Sequence, residues 1–338
     1  MPIDSVLSAV LGSLGIPPDA VASREPLTGG TYNAVTRVRL TDGREWVVKT
    51  PPPNSGVCLS YEHDLLANEV TYYDACASLA GETAVPTVVR AELDPAAPTG
   101  AYVVMTARPG QPWHELTGAM ADGEEARLRS ALGRIVGRLH GVPVPGGFGY
   151  PSGALGPLAP TWREAFTGMT DAVLADARRY AARLPRTSAD IGAVLGAVSY
   201  VLDDVTRPAL VHFDLWQGNI LVTGGPGERR VGGVIDGERM FWGDPAADFV
   251  SLALFGDIAD DKDFLAGYGE AAPGGPVEFD GSLRLRLALY RAYLYLIMLV
   301  ETVPRSTSGD RLEWTWNEVA PRLEAALTEI ESAPRGRE

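Results

Sequence analysis

The first hundred residues place short runs of strand-forming side chains between turn residues. Four runs have this character: residues 34–40, 45–49, 87–91 and 101–105. The first alternates apolar and polar side chains, as a half-buried strand does, and a turn at Thr41-Asp42-Gly43 leads into the second. Residues 61–79 instead carry apolar side chains at helical spacing. With a strand before Gly29, these segments predict an antiparallel five-stranded sheet carrying one helix.

Further along the chain the apolar spacing becomes helical. The segments predicted to be helices are residues 124–139, 162–184, 188–204 and 283–300. The last is the most apolar, but its uncharged part, residues 292–300, is far shorter than the roughly 20 residues that span a bilayer. We therefore predict an α+β protein with two lobes, residues 1–107 and the mainly helical residues 108–338.

Residues 210–222, LVHFDLWQGNILV, enclose polar side chains between two apolar runs. A second apolar run, residues 231–235, ends on Asp236, and the Gly-rich turn between the two is typical of a hairpin. A hairpin would bring Asn219 and Asp236 together at its base. Because Mg²⁺ takes oxygen ligands and leaves room for water and phosphate, this pattern predicts a magnesium-nucleotide site.

Composition narrows the class of protein. The 338 residues are 46% hydrophobic and 21% charged, which is ordinary for a globular protein. A formal net charge of -14 argues against a nucleic-acid partner and is compatible with a cationic substrate. The two cysteines, Cys58 and Cys76, are too few for a disulfide framework or a zinc site. Without a secretory signal or membrane span, we expect a cytoplasmic monomer or homodimer with no membrane partner.

The spacing His212-x-Asp214-Leu215-x-x-x-Asn219 resembles the catalytic loop of protein kinases. The residues of this loop and of the segments after it are more similar to the aminoglycoside phosphotransferase family of small-molecule kinases than to protein kinases. That family continues with Ile-Asp, an aromatic residue and Glu, and then with Gly-Asp-Pro-x-x-Asp. Here the matching segments are Ile235-Asp236-Gly237-Glu238 and residues 243–248, GDPAAD. Gly237 departs from the family's aromatic residue.

The resemblance implies a protein-kinase-like bilobal fold, ATP (or GTP) and Mg²⁺, and roles for individual residues. Asp214 would position the acceptor hydroxyl and take its proton, and Asn219 and Asp236 would hold Mg²⁺. Lys49, one of only two lysines among 29 basic residues, ends a strand as the phosphate-binding lysine of kinases does. Each of these residues alone has a structural explanation, such as a turn cap. By the same resemblance Asp244 would tie the catalytic loop to the second lobe.

Four more assignments complete the expected nucleotide site. Glu69 is the candidate partner that orients Lys49, with Glu62 as its rival. Gly29, Gly30 and Thr31 form either a loop that covers the phosphates or a plain hairpin turn, and Asn33 could add a side-chain donor. The segment from Met105 to Pro109, ending in Gly110, would be the hinge, whose backbone, including Met105 and Ala107, would bind the adenine edge.

The acceptor is open at this stage. An acidic stretch could receive substrate ammonium groups or be a solvated loop, and it contains Asp257, Asp260, Asp261, Asp263 and Glu270. An aromatic set could line a pocket or belong to the core, and it contains Phe241, Trp242, Tyr268, Trp314 and Trp316. We expect an antibiotic acceptor, aminoglycoside-like or nucleoside, and hence resistance by modification. The alternative is a metabolic kinase of a sugar, fructosamine, choline-like or homoserine-like alcohol; a third is an inactive nucleotide-binding module.

Overall fold

A five-stranded antiparallel sheet forms the first part of the protein. The computed structural model describes residues 3–27, 33–51, 57–79, 84–116 and 120–333. The strands are β1 (Val21–Leu27), β2 (Ala34–Leu40), β3 (Glu45–Thr50), β4 (Val88–Glu92) and β5 (Tyr102–Thr106). Their order across the sheet is β1-β2-β3-β5-β4, and every neighbouring pair is antiparallel. This confirms the predicted sheet, which ends one residue before the predicted lobe boundary at residues 107 and 108.

Each face of the sheet is covered by a helix. Strand residues alternate between the faces, so Val47 and Met105 pack with the core that includes α2 (Leu65–Cys76). Trp46 and Val48 point the other way, toward α1 (Ile3–Ser13). The sequence predicted one helix on this sheet, and α1 is a second helix that it did not predict.

The second part of the protein is mainly helical. Its helices are α3 (Glu124–Leu139), α4 (Trp162–Arg179), α5 (Ser188–Ala197), α6 (Asp248–Leu252), α7 (Lys262–Ala271), α8 (Gly281–Val300) and α9 (Gly309–Ser332). Its short strands are β6 (Gln111–Pro112), β7 (Ala209–Val211), β8 (Ile220–Thr223), β9 (Arg230–Val234) and β10 (Phe241–Gly243). Of the acidic stretch predicted as a loop or substrate site, Asp263 and Glu270 are helical in α7, which packs along α3, and the other three acidic residues precede that helix.

The core of the second part surrounds α8, which is buried along nearly its whole length. Trp162 and Phe166 of α4 pack on Tyr290 and Tyr293 of α8. The Trp162 indole N–H donates to the Tyr290 hydroxyl at 2.7 Å, which satisfies a polar group that would otherwise be buried alone. In the part of the chain that the structure describes, no helix combines the length and apolar character that crossing a membrane requires.

The predicted hairpin is present and positions the two expected metal ligands. Strands β8 and β9 pair antiparallel, with Ile220 opposite Val234. Just beyond that pair, the Ile235 N–H donates to the Asn219 carbonyl oxygen at 3.0 Å. Asn219 and the residue before Asp236 are therefore joined at the base of the hairpin, as the sequence predicted.

Candidate active site

Lys49 is at the end of β3 in a buried group of carboxylates. Its ammonium donates to Glu69 Oε1 at 2.7 Å and to Asp236 Oδ1, and it lies 3.9 Å from Glu238 Oε2. Its side chain is only 8% exposed. Because α2 supplies Glu69 while Asp236 follows β9, this ammonium joins the sheet lobe to the helical lobe.

Glu62, the rival candidate, is engaged elsewhere. Its carboxylate accepts from the Leu59 N–H at 2.8 Å and from Arg305 Nη2 at 2.6 Å. The structure therefore places Glu69, and not Glu62, beside Lys49.

Tyr73 ties Glu69 to Asp236, a connection that the sequence did not reveal. Its hydroxyl donates to Glu69 Oε1 at 3.0 Å and accepts from the Asp236 N–H at 3.0 Å. Asp236 itself has a φ of 68°, a left-handed backbone that Asp tolerates better than most residues. The Tyr73 hydroxyl thus stabilises the uncommon backbone that directs the Asp236 carboxylate at Lys49.

The charges in this cluster shift one another. Burial lowers the pKa of Lys49, but Asp236, Glu69 and Glu238 together raise it above its ordinary value. Burial by itself would raise the pKa of Asp236, but the Lys49 ammonium outweighs burial, and the pKa of that carboxyl is lowered. Burial and the Asp236 charge raise the pKa of Glu238 to about 8. Lys49 and Asp236 therefore form an ion pair, while Glu238 is the carboxyl that most readily takes a proton.

The same cluster has the composition of a divalent-cation site. Ligand oxygens of Glu69, Asp236 and Glu238 lie within 4.8 Å of one another. Glu69 Oε2 is buried without a hydrogen-bond partner among the described residues, so the cluster holds acceptor capacity that the protein leaves unused. An all-oxygen set of this kind suits Mg²⁺. Glu238 belongs to the motif Ile235-Asp236-Gly237-Glu238, but the sequence did not predict a role for it.

Asp214 and Asn219 lie on the neighbouring loop and contact each other. The Asn219 side-chain amide N–H groups donate to the Asp214 carbonyl oxygen at 2.9 Å and to Asp214 Oδ2 at 3.0 Å. Since both donations use the amide nitrogen, the amide oxygen of Asn219 is left to bind a cation. His212 braces the loop: its Nδ1 accepts from the Asp214 N–H at 3.2 Å, and its Nε2 is 3.0 Å from the Ile235 carbonyl oxygen.

Asp248 anchors this loop, which corrects the expectation for Asp244. Asp248 accepts from the Phe213 N–H at 2.7 Å and the His212 N–H at 3.2 Å, and His140 Nε2 lies 2.9 Å from Oδ2. Phe213 has a φ of 62°, which is rare for a bulky residue and needs such support. Asp244 instead accepts from the Ala246 N–H and the Tyr290 hydroxyl and pairs with Arg286.

Arg239 is a further residue that the sequence analysis missed. Its Nε lies 4.0 Å from Asp214 Oδ2, and its Nη2 donates to Glu301 at 2.9 Å. Burial raises the pKa of Asp214, and the Arg239 guanidinium opposes that rise. The position of Arg239, three residues after Asp236, was the available signal.

The missing aromatic residue after Asp236 has a structural cause. A Cβ added at Gly237 would lie 2.4 Å from the ring of Tyr72, so that ring occupies the space of a side chain there. The Tyr72 ring also meets His212 edge-on, with centroids 5.1 Å apart. An aromatic residue from α2 therefore fills the position beside the catalytic loop.

The predicted phosphate-covering loop and the predicted adenine hinge have different outcomes. Gly29, Gly30 and Thr31 lie outside the described residues. Asn33 Nδ2 donates to Glu238 Oε2 at 2.7 Å. Met105 is buried opposite Val47, and the Ala107 N–H donates to the Glu45 carbonyl oxygen at 2.9 Å. The sheet therefore already uses the backbone donor of Ala107, and an adenine contact there would need its carbonyl oxygen.

A buried Lys–Glu pair on a five-stranded sheet, above a loop with Asp and Asn, is the arrangement of kinases with a protein-kinase-like fold. Comparison with known proteins narrows this class. A sequence profile of the phosphotransferase enzyme family matches residues 23–281, more than half of the chain. The protein belongs to that family of phosphotransferases.

Individual relatives agree with this assignment. A probable ketoamine kinase of Synechocystis is 36% identical over 123 residues, a match that spans 36% of this chain and 36% of the relative. Aminoglycoside phosphotransferase APH(4)-Ia, in a ternary complex with AMP-PNP and hygromycin B, superposes with a TM-score of 0.66 at 18% identity and covers 98% of this chain and 100% of that one. A protein of Thermobifida fusca assigned as a fructosamine-3-kinase gives 0.66 at 22% identity, with 96% and 99% covered. The two structural similarities show the fold.

Proposed function

We propose that the protein transfers the γ-phosphate of a magnesium nucleotide, ATP or GTP, to a hydroxyl of a small molecule. The observation that carries this proposal is the contact of Lys49 with both Glu69 and Asp236, beside a loop on which Asn219 holds Asp214. An inactive nucleotide-binding module would not need the Asp214 carboxylate beside that pair. The 107/108 boundary would then separate nucleotide binding from acceptor binding.

The residues divide the work of this reaction. Lys49, oriented by Glu69, would hold nucleotide phosphates through its ammonium. Asn219 and Asp236 would hold Mg²⁺ through oxygen atoms, and Glu238 adds a second carboxylate beside Asp236. The bound cation would neutralise charge that develops on the phosphoryl oxygens. Asp214 would orient the acceptor hydroxyl and accept its proton, while the Arg239 guanidinium would oppose the rise that burial causes in the pKa of that carboxyl.

For the acceptor, we propose a sugar-derived metabolite of the ketoamine kind. The 36% identity with the probable ketoamine kinase favours it. The acidic stretch that was expected to receive antibiotic ammonium groups is largely engaged in structure: Asp261 caps α7 and pairs with Arg129, and Glu270 pairs with Arg134. The antibiotic acceptor, and with it resistance, stays a prediction from the sequence. So do the cytoplasmic location and the monomeric or homodimeric state.

The test is a nucleotide-consumption assay with an acceptor panel. Purified protein is incubated with ATP or GTP, with and without Mg²⁺, and with ketoamines, free sugars, nucleosides or aminoglycosides. We expect Mg²⁺-dependent release of nucleoside diphosphate that requires an acceptor, and a phosphorylated ketoamine by mass spectrometry. Nucleotide binding without turnover on any acceptor would favour the inactive module, and turnover confined to antibiotics would overturn the metabolic acceptor.

A further inference from the structure

A cavity of about 390 Å³ lies between the end of α8 and the start of α9. A volume of this size suits a small-molecule ligand. The residues that line it are Met298, Glu301, Thr302, Arg305, Thr307, Ser308, Arg311, Trp314 and Thr315. None of the kinase motif residues that the structure describes lies in α9 or lines this cavity.

A single guanidinium separates this cavity from the catalytic loop. Arg239 faces Asp214 Oδ2 with its Nε at 4.0 Å, and its Nη2 donates to Glu301 at 2.9 Å. Glu301 is part of the cavity wall. A ligand that contacts Glu301 in the cavity would therefore be connected to the Asp214 carboxylate through one guanidinium, that of Arg239.

The charge that the wall offers to a ligand is positive. Its one carboxylate, Glu301, already accepts from Arg239 and lies 3.1 Å from Arg305 Nη1. Arg311 is exposed and forms no ion pair with any other described residue. A guanidinium presents paired N–H donors that match a carboxylate or a phosphate, whereas it repels a cation.

The mouth of the cavity also offers apolar surface. Trp314, which lines the cavity, is 50% exposed and is one of the few large apolar side chains of the described chain that reach solvent this far. An exposed indole face can stack on the C–H face of a sugar or on another flat group. Together with the hydroxyls of the wall, this surface fits a neutral polyol part of the same ligand.

We propose that this cavity binds the acceptor of the phosphotransfer reaction, and that the acceptor carries an anionic group which pairs with Arg311. This inference rests on the proposed function and narrows its substrate class. It disfavours polycationic acceptors, which would meet Arg305 and Arg311 without a free carboxylate. Either a carboxylate or a phosphate on the acceptor could supply this anionic group.

Three matched ketoamines test the proposal. The fructose adducts of glycine, O-phosphoethanolamine and ethanolamine share one sugar and one secondary amine, which is protonated in all three near neutral pH. They end in a carboxylate, a phosphate or a hydroxyl, and they are called anionic or neutral by that end group alone. Binding of each to the protein loaded with Mg²⁺ and AMP-PNP is measured by calorimetry, and kcat/KM is measured with ATP. We expect at least one anionic adduct to bind about tenfold or more tightly than the neutral adduct, and the better of the two names the anion.

Substitutions then assign the effect to Arg311. Arg311→Gln should reduce the affinity for the anionic adduct to that for the neutral one, and Arg311→Lys should restore part of it. Arg90→Gln, which removes an exposed arginine of β4, is the matched control and should change neither. Equal binding of all three adducts, tighter binding of an aminoglycoside, or an equal loss for all adducts in Arg311→Gln would overturn the inference.

The readouts keep this inference separate from the proposed function. Adduct binding is measured directly, so the preference for an anion is decided even without turnover. Phosphorylation of a neutral or cationic acceptor would leave the kinase assignment intact and overturn the anionic class. Loss of Mg²⁺-dependent nucleotide binding would instead count against the proposed function.

Discussion

Two aspartates of the site, Asp214 and Asp236, are held in opposite electrostatic surroundings. Asp236 contacts the Lys49 ammonium directly, and Lys49 lowers its pKa against the opposing effect of partial burial. Asp214 has its nearest cation, Arg239, at 4.0 Å, and burial raises its pKa. The difference matches two tasks, because a metal ligand should stay ionised whereas a group that accepts a proton gains from a raised pKa.

The two aspartates are also positioned by different means. Asp236 is held by residues of the sheet lobe, through Lys49 and the Tyr73 hydroxyl. The loop of Asp214 is held from within the helical lobe by Asp248 and by the Ser251 hydroxyl, which accepts from the Leu215 N–H at 2.9 Å. Changes on the Asp236 side should therefore affect cation and nucleotide binding, and changes on the Asp214 side should affect transfer.

Asp236→Asn should have the largest effect. It removes the charge that faces Lys49 and one proposed ligand of Mg²⁺, so turnover should fall by roughly 10²-fold or more. Titration of nucleotide binding with and without Mg²⁺ checks whether the loss of turnover comes from the lost Mg²⁺ ligand. Asp122→Asn, at an exposed position, is the matched control. Unchanged Mg²⁺-dependent binding would contradict the role of Asp236.

Asp248→Asn should be the most destabilising change on the Asp214 side. The Asn amide keeps only one acceptor oxygen, so the buried N–H groups of His212 and Phe213 would no longer both be satisfied, and His140 Nε2 would lose its carboxylate partner while Nδ1 keeps Tyr268. We expect a loss of about 3–5 kcal/mol in the free energy of unfolding, measured by denaturant titration. Asp244→Asn, which breaks the separate contacts with Arg286 and Tyr290, should disturb the Asp214 loop less. The two variants are compared by transfer rate at a temperature where both are folded, and the reverse order would restore Asp244 as the anchor.

Arg239→Gln should shift the pH dependence of the reaction. Without the guanidinium the pKa of Asp214 rises further, so the acidic limb of the kcat/KM profile should move to higher pH. Arg239→Lys keeps the charge and should leave the limb closer to that of the unaltered protein. A limb that stays in place in Arg239→Gln would show that Asp214 does not set it.

Glu238→Gln should have the smallest effect, on the pH dependence of stability. Burial raises the pKa of Glu238 to about 8 in the folded protein, from an ordinary value of 4.5. A raised carboxyl pKa contributes stability that is full below the unfolded pKa and is lost as pH rises through the folded pKa. In Mg²⁺-free buffer, Tm should therefore fall between about pH 5 and pH 8, and the decline should be shallower in Glu238→Gln. Parallel curves for the two proteins would contradict this.

Local patterns of apolar and polar residues were enough to predict much of the fold. Alternation in β2 and β3 and helical spacing in α3 were enough to predict those elements, because each depends on its own side chains. Helix α7 depends on a distant neighbour instead: a Cβ at Gly267 would lie 1.9 Å from the Ser130 carbonyl oxygen, so this helix packs unusually closely on α3. A sequence of acidic residues shows nothing of that contact.

The candidate site likewise contains residues that local spacing predicts and residues that it does not. The spacing around Asp214, Asn219 and Asp236 lies within one short segment, so the sequence could place those residues near one another. Arg239 acquires its position through Glu301, 62 residues later, and His140 meets Asp248 across 108 residues. Pairings between such distant positions depend on the packing of α8 and α3, and local sequence spacing does not predict that packing.

Transfer by Asp214→Ala under single-turnover conditions tests the central claim most directly, with Mg²⁺-ATP affinity measured on the same preparation. If Asp214 steers the acceptor hydroxyl and accepts its proton, the affinity should stay close to that of the unaltered protein while the transfer rate falls by roughly 10²–10⁴-fold. An unchanged transfer rate would contradict the role of Asp214, and a parallel loss of nucleotide affinity would contradict its separation from the Asp236 side.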